Sequence, residues 1–358
     1  MAKKTSNPRI RMLNLSQNGC SMWVASYPEG LLKPTAVALG KFDGVHLGHH
    51  RVIQPILPAA FPEDRGENDE NLPESSTPAE QTYSTVVTFD PHPLEFFTGQ
   101  PRTLLTPLDE KVAQLRSLGV QQLVLLPFDR ELSALSPQDF VEQILVKQLQ
   151  CRRISVGADF CFGKQRRGTA KDLQLLAAQH NIPVTIVSLQ TYTDNPANQE
   201  APISTSLIRH HLENGEIKNA NLLLGRPYTL IGTVIPGQKM GRTIGFPTAN
   251  LQLPKDKFIP RQGVYAVRLS IISDTPDATH AYNILGVMNI GNRPTVNGSN
   301  LSVEVHLFDW SSDLYGKKLA VQLVEFLRPE EKFPSLEDLK TQIQLDCTLA
   351  RELLSPEC

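Results

Sequence analysis

The residues of this chain best suited to chemistry are His46 and His49, set in the run Gly40-Lys41-Phe42-Asp43-Gly44-Val45-His46-Leu47-Gly48-His49. Three residues apart on one helical turn, two imidazoles can offer N–H donors to the same anion. Gly48 between them has no side chain to hold a phosphate away. Ahead of the run, residues 36–39 read as a buried strand; behind it, Val52, Ile53 and Ile56 read as the start of a helix. Strand, glycines and helix N-terminus in that order make an anion site, because free backbone N–H groups and the helix dipole converge there. The chemistry expected is stabilisation of charge on a reacting phosphate. A tight turn with surface histidines is the alternative, and the length of the string weighs against it.

Other stretches could serve a phosphate or a planar ring. Thr85-Val86-Val87-Thr88-Phe89 empties into Asp90-Pro91-His92-Pro93. That puts Asp90 and His92 at the C-terminal edge of a sheet, where open α/β sheets bind ligands, although the tetrapeptide alone is also just a stiff turn. Ile154-Ser155-Val156 runs into Gly157-Ala158-Asp159-Phe160-Cys161-Phe162-Gly163, followed by a basic cluster at Lys164, Arg166 and Arg167. This is either an aromatic surface for a ring with cations near phosphates, or core phenylalanines before a solvated loop. In Ile203-Ser204-Thr205-Ser206-Leu207-Ile208-Arg209, hydroxyls at a helix start and an arginine one turn in suit a second phosphate clamp. Ser204 alone satisfies an ordinary N-cap, so Arg209 is the stronger candidate.

Later, Gly237-Gln238-Lys239-Met240-Gly241-Arg242-Thr243-Ile244-Gly245-Phe246-Pro247-Thr248-Ala249-Asn250 has the glycines and cations for a loop over phosphates. Thr248 and Asn250 could offer a hydroxyl and an amide oxygen to Mg²⁺, a hard cation. No Gly-Lys-Ser/Thr follows the glycines, so this is not a Walker A loop, and on spacing alone a flexible hairpin is the better account. In Val303-Glu304-Val305-His306, alternation puts Val303, Val305 and Leu307 on one face and Glu304 and His306 on the other. A carboxylate there is ordinarily a solvated strand residue.

Two kinds of element must position these groups. Residues 1–33 carry little periodic signal and are left unassigned. Pro55 and Pro58 shorten or kink the helix after the histidines. Residues 61–82 are acidic and rich in Pro, Ser and Thr, with nothing to bury, which predicts disorder. Strands over 85–89, 123–126, 154–156 and 184–187 alternate with helices over 109–118, from Ser136, and over 170–180, which predicts a doubly wound parallel sheet. Gly215 ends a helix, and a short one over 217–224 follows. From Arg226 the period changes. Runs over 228–235, 263–272, 282–290, 302–308 and 318–327 suggest an antiparallel sheet of five strands closed into a small barrel, and residues 335–354 form an amphipathic helix.

A length of 358 residues suits two domains. A net charge of −2 gives no case for nucleic acid or an anionic membrane as partner. No apolar run approaches the roughly 20 residues of a membrane span, and Lys3 and Lys4 are not followed by a signal-peptide core. Cys20, Cys151, Cys161, Cys347 and Cys358 are scattered without a pairing pattern, which suggests reduced thiols and a cytoplasmic location.

Taken together, these strings resemble one family. His46-Leu47-Gly48-His49 is similar to the H-x-G-H of nucleotidyltransferases. With Gly40-x-Phe42-Asp43-Gly44 ahead of it, the chain resembles the bacterial bifunctional riboflavin kinase/FMN adenylyltransferases, the two-domain FAD synthetases. Thr88-Phe89-Asp90-Pro91-His92-Pro93, Val156-Gly157-x-Asp159-Phe160-x-Phe162-Gly163 and Ile203-Ser204-Thr205-Ser206-x-Ile208-Arg209 match the first domain. Gly245-x-Pro247-Thr248-Ala249-Asn250 matches the riboflavin kinase signature, joined by Gly263-Val264-Tyr265, Asn289 to Thr295, Glu304 in its strand and Arg328-Pro329. The departures are the acidic insert, the Pro55 interruption, and Thr205-Ser206 where the family has Ser-Thr, so which of these two hydroxyls meets phosphate stays open.

The resemblance implies an α/β plus β architecture. A Rossmann-like doubly wound adenylyltransferase domain would span residues 34–205, connecting helices 206–224, and a β-barrel kinase domain with its C-terminal helix 225–358. It implies that ATP and riboflavin give FMN and ADP in the barrel, that ATP and FMN give FAD and diphosphate in the sheet domain, and that Mg²⁺ assists. By the same resemblance Glu304 is the kinase base, with His46 and His49 catalytic in the other domain. There Gly40, Phe42, Asp43, Gly44, Gly48, Ser204, Thr205, Ser206 and Arg209 would bind ATP, while Asp90, Pro91, His92, Asp159 and Phe160 meet the flavin. In the kinase, Gly241, Arg242, Gly245, Pro247, Thr248, Asn250, Asn292 and Arg293 would bind ATP, Thr248 and Asn250 the Mg²⁺, and Gly263, Tyr265 and Arg328 the flavin. A monofunctional transferase with a regulatory barrel would not need Thr248, Asn250 and Glu304 together. A flavin carrier would need neither H-x-G-H nor two phosphate loops.

Overall fold

The computed structural model describes residues 22–26, 30–60, 81–192, 201–237, 240–272, 283–295 and 298–355. The acidic stretch, up to residue 80, lies outside the described residues. The chain forms two compact units, one of Met1–Arg102 with Leu108–Ile203, the other of Thr103–Pro107 with Ser204–Cys358.

The first unit is built on a sheet of six strands: β1 (Trp23–Ser26), β2 (Thr35–Leu39), β3 (Tyr83–Asp90), β4 (Gln122–Pro127), β5 (Cys151–Gly157) and β6 (Val184–Val187). They pair in parallel in the order β1-β4-β3-β2-β5-β6. All of β2 is buried, because helices cover both faces. Ala36 and Ala38 pack with Val52 and Ile53 of α1 (Leu47–Ile53) and with Val112 and Leu115 of α3 (Leu108–Ser117). Val37 and Leu39 face the opposite core, with Leu173 and Ala177 of α4 (Ala170–Ala178). The expected doubly wound sheet is present. Pro55 does end α1 early, and 3₁₀ turns Gln54–Ile56 and Pro58–Ala60 follow. Sequence reading left residues 1–33 unassigned, yet β1 forms the edge beside β4. Four residues of Trp-Val-Ala-Ser are too short to show a period.

From β2 the chain builds outward on one side through β3 and β4, then crosses back to lay β5 and β6 on the other side. The strand order therefore reverses at β2, and the loop that leaves its C-terminal end opens onto the switch-point crevice where such sheets take ligands. That loop begins at Gly40.

The second unit holds a closed antiparallel barrel of β7 (Thr229–Ile235), β8 (Ala249–Gln252), β9 (Gly263–Ile272), β10 (Ile284–Thr295), β11 (Gly298–Leu307) and β12 (Lys318–Arg328), in the order β7-β8-β11-β10-β9-β12. Five strands were expected and six are present. The one missed is β8, four residues whose polar Ala-Asn-Leu-Gln sequence lies inside the phosphate-loop motif and pairs with both β7 and β11. A short helix, Met240–Thr243, interrupts the same loop. Helices α5 (Thr205–Asn214) and α6 (Ile217–Leu224) precede the barrel, each ended by a left-handed glycine, Gly215 and Gly225.

Thr103–Pro107 joins this unit from far away in sequence. The Leu104 amide donates to Asp256 at 2.6 Å, and the Phe258 amide to Leu104 at 2.8 Å. The buried Lys257 ammonium donates to the Leu105 carbonyl at 2.8 Å and lies 4.6 Å from the centre of the Tyr228 ring.

Helix α7 (Leu336–Leu354) covers one barrel face, packing Cys347, Ala350 and Leu354 against Val264, Ala266 and Val287. Its Asp346 takes a two-pronged ion pair from Arg328, with Nε at 3.0 and 3.1 Å and an Nη at 2.8 Å. Both side chains are largely withdrawn from water, 16% and 6% exposed. Removing one partner of such a pair strands the other's charge. We expect Asp346→Ala to lower stability by about 3–5 kcal/mol, read from denaturant unfolding followed by tryptophan fluorescence.

Candidate active sites

In the sheet unit, α1 starts where the loop from β2 ends, and the histidines build its first turn. His46 is the N-cap. Its Nδ1 accepts the His49 amide at 3.3 Å, and the His49 Nδ1 accepts the His46 amide at 3.4 Å. This is a capping box with imidazoles in the places usually held by a hydroxyl and a carboxylate. A ring nitrogen that accepts an N–H carries no proton, so each neutral ring holds its proton on Nε2. The rings stack with centroids 3.6 Å apart and planes 18° from parallel. A β-carbon at Gly48 would stand 3.1 Å from the His46 ring and 3.6 Å from the Ile203 carbonyl, which is why glycine is needed there.

The loops after β2, β3 and β5 bring their charges to bear on one another. Burial lowers the Lys41 pKa, Arg166 and Arg102 lower it further, and Asp159 opposes them. His92 caps helix α2 (Pro93–Thr98) by accepting the Leu94 amide at 3.1 Å. Burial, then the cations Lys41 and Arg102, drive its pKa down to about 4, leaving a neutral ring at pH 7. Asp90 is exposed at the end of β3, and its peptide bond to Pro91 is cis. Of the two aromatics, Phe162 is a core residue beside Phe140, while Phe160 is half-buried at the edge of that core and stacks on Phe162 at 5.8 Å. The core reading of that string thus holds for Phe162. Phe42 is wholly buried and Asp43 only 3% exposed. Sequence reasoning passed over Lys41, Arg102 and Lys111, because nothing local marks a cation whose partners come from other loops.

Ser204 caps α5, accepting the Leu207 amide at 3.2 Å, with Thr205 and Ser206 in the first turn. The Arg209 guanidinium donates to the Thr103 carbonyl and lies 4.6 Å from the centre of the Phe258 ring, both within the barrel unit.

On the barrel, β11 presents Glu304 on the face opposite buried Val303 and Val305. Register places Asn250 of β8 and Asn289 of β10 directly opposite it, on that same face. Thr248 Oγ1 donates to Glu304 Oε2 at 3.1 Å, and Ser302 Oγ to Oε1 at 3.2 Å. His306 donates from Nδ1 to the Pro247 carbonyl at 2.8 Å and meets the Phe246 ring edge-on at 5.5 Å. Strand and phosphate loop are thereby tied together. A β-carbon on Gly237 would overlap the Asn250 amide, so glycine there makes the space that Asn250 fills. Threonine hydroxyl, asparagine amide and carboxylate are hard oxygen donors. With few protein ligands they suit Mg²⁺, which keeps waters and phosphates as its other ligands.

Asn292 is exposed and donates to Gln262 at 3.2 Å, and Gly241 and Gly245 frame the loop. The side chains of Arg242 and Arg293 lie outside the described residues. The three residues expected at the flavin also make contacts within the barrel. Gly263 is buried where β9 meets β12. Tyr265 is 0% exposed, its hydroxyl bonded to the Arg261 carbonyl and its ring edge-on to Phe326 at 5.2 Å. Burial raises its phenol pKa well above the ordinary value. Arg328 is committed to Asp346. Asn289, Ser302 and His306 are the neighbours that sequence reasoning gave no role; cross-strand register, invisible in one strand, brings them in.

A parallel sheet that presents stacked histidines at its switch point, in one chain with a barrel that sets a carboxylate beside a glycine-rich loop, is an architecture suited to a nucleotide-dependent transferase with two centres. The family model for FAD synthetase matches residues 29–200, and that for riboflavin kinase residues 224–354. Proteins named bifunctional riboflavin kinase/FMN adenylyltransferase are similar along most of the chain. That of Escherichia coli (strain K12) is 37% identical over 317 residues, covering 88% of this chain and 91% of that protein. That of Haemophilus influenzae is 37% identical over 323 residues, covering 90% and 94%. That of Bacillus subtilis (strain 168) is 35% identical over 334 residues, also covering 90% and 94%. A crystal structure of a protein from Streptococcus pneumoniae, named a macrolide-efflux protein, superposes with a TM-score of 0.74 at 27% identity, over 92% of this chain and 98% of that one. The chain belongs to the bifunctional riboflavin kinase/FMN adenylyltransferase family.

The pKa of His92 gives the sheet unit a pH signature. Between its ordinary 6.5 and about 4, the unfolded chain binds a proton at this residue that the folded chain refuses. Its stabilising contribution is therefore complete above pH 6.5 and is lost as pH falls toward 4. We expect His92→Asn to show a shallower fall in Tm across that window than the native chain. Parallel melting curves would remove the role.

Proposed function

We propose how the two activities of this bifunctional enzyme, phosphorylation of riboflavin to FMN and adenylylation of FMN to FAD, are divided among these residues. The adenylyltransferase domain is assigned to residues 34–205 and the kinase domain to 225–358, with 206–224 connecting them. In the kinase, Glu304 takes the proton of the riboflavin 5′-hydroxyl as its oxygen attacks the γ-phosphorus of ATP, and ADP leaves. The observation that carries this is the Thr248–Glu304 hydrogen bond, which sets a candidate base beside the phosphate loop. Thr248 and Asn250 would hold Mg²⁺, which when bound offsets the charge of the phosphates. Gly241, Arg242, Gly245, Pro247, Asn292 and Arg293 are assigned to ATP.

In the sheet domain the FMN phosphate, already an anionic nucleophile, attacks the α-phosphorus of a second ATP and diphosphate leaves. No general base is needed. Nε2–H groups of His46 and His49 and the N-terminus of α1 stabilise the charge that develops on the phosphates. Neutral His92, with Asp90, Pro91, Asp159 and Phe160 at the crevice edge, is assigned to the flavin. Ser204, Thr205, Ser206 and Arg209 are assigned to ATP from the resemblance. Cytoplasmic location is proposed from the free thiols of Cys151, Cys161 and Cys347.

Two variants assayed side by side test the division. Glu304→Gln keeps the shape and should slow FMN formation by about 10²–10⁴-fold, while FMN supplied directly still becomes FAD at the native rate. His46→Ala should slow FAD formation by about 10²–10³-fold and spare riboflavin phosphorylation. Chromatography of the flavins after incubation with ATP and Mg²⁺ reads both. Parallel loss of the two products in either folded variant would sink the two-centre assignment.

A further inference from the structure

Lys111 is a buried cation to which the mechanism above gives no task. It stands one turn into α3 and is 7% exposed. Its ammonium donates to the Lys41 carbonyl at 3.3 Å, and Thr88 Oγ1 donates to the same carbonyl at 2.9 Å. The carboxylates of Asp43 and Asp90 act on it in opposition to its burial, holding up a pKa that desolvation pulls down. A buried ammonium is tolerated only where carboxylates and hydrogen bonds compensate it. Here the compensation comes from the loop after β2 and from the end of β3.

That loop needs to be held. Phe42 at φ 48° and Val45 at φ 42° lie in the left-handed region without being glycine, and for branched Val45 this is a strained conformation. Strain of this kind persists where the surroundings over-determine it. Both side chains are 0% exposed, and the backbone just before them is fastened at the Lys41 carbonyl by two donors from other elements. Val45 is followed at once by His46, so the orientation of the strained turn sets where the capping box and its Nε2–H groups point.

We propose that Lys111 is a positioning residue for adenylyl transfer, its buried ammonium pinning the Lys41 carbonyl and the Asp43 loop so that His46 and His49 face the reacting phosphates. It acts through the histidines. With its ammonium on a backbone carbonyl and little surface exposed, it is not a direct phosphate ligand. The proposal rests on the assignment of His46 and His49 to this reaction.

Lys111→Met, Lys111→Gln and Lys111→Arg, with His46→Ala alongside, test it in the full chain, the circular dichroism spectrum and melting curve of each variant serving as the folding control. Loss of geometry used in the transition state lowers kcat and kcat/KM together. We expect Lys111→Met to lower kcat for FAD formation by about 10²-fold, the scale of a misplaced catalytic group, with KM for ATP and FMN changed by less than about threefold. Lys111→Arg, which keeps the charge and a donor, should recover most of the rate, and Lys111→Gln should not. Adding Lys111→Met to His46→Ala should cost far less than the product of the single losses, because both act through one geometry. Should Lys111→Met fail to fold, the Arg and Gln variants decide the matter. Native kcat in Lys111→Gln, equal rescue by Gln and Arg, or a loss confined to the KM for ATP would each overturn the proposal. Normal FAD formation by His46→Ala would instead overturn the assignment on which it rests.

Discussion

The first amides of a helix have no carbonyl to bind within the helix, and in the sheet unit that constraint governs the site. Two of these amides, at His46 and His49, are each satisfied by the other residue's Nδ1. The bond count settles the tautomer, and the tautomer settles which edge of each ring can donate to a phosphate. A side chain at position 48 would press on the His46 ring, and a relaxed turn at Val45 would swing the whole box away. The turn thus rests on a local hydrogen-bonding problem solved with imidazoles in place of the usual capping residues.

Around that turn, the sheet supplies rigidity and electrostatics. Strand β2 is buried end to end, so its C-terminal end is a fixed point from which a strained loop can be hung. The loops after β3 and β5 add cations and carboxylates whose effects on Lys41 and His92 show one shared, partly desolvated environment. A neutral His92 adds no positive charge to that environment at pH 7.

The barrel meets a comparable demand by different means. A carboxylate has to be held at a strand surface. Ladder register does this by placing Asn250 and Asn289 across from Glu304, while Thr248 and Ser302 each give a hydroxyl to one of its oxygens. These neutral donors hold the carboxylate in place. Arg328 is locked to Asp346 under the last helix.

Much of this was legible in the sequence where information is local. The H-x-G-H turn, the cap at Ser204, the helix start at Ser136 and the alternating runs of the barrel announce themselves within a few residues, because hydrogen bonds to the next turn and the two-residue period of a strand are short-range. The sequence by itself determined the two architectures, the family and the positions of the H-x-G-H turn and the glycine-rich loop of the barrel. Only the tertiary structure decided what depends on partners distant along the chain. Strand β8 is held by its neighbours' ladders and not by its own composition. Thr103–Pro107 belongs to the barrel unit through bonds to Lys257 and Phe258. The burial of Tyr265 and the ion pair of Arg328 with Asp346 are likewise properties of the packed molecule. Lys111, an unremarked lysine on an amphipathic helix, gains its meaning only when folding carries it to the carbonyl of Lys41, seventy residues away in the chain.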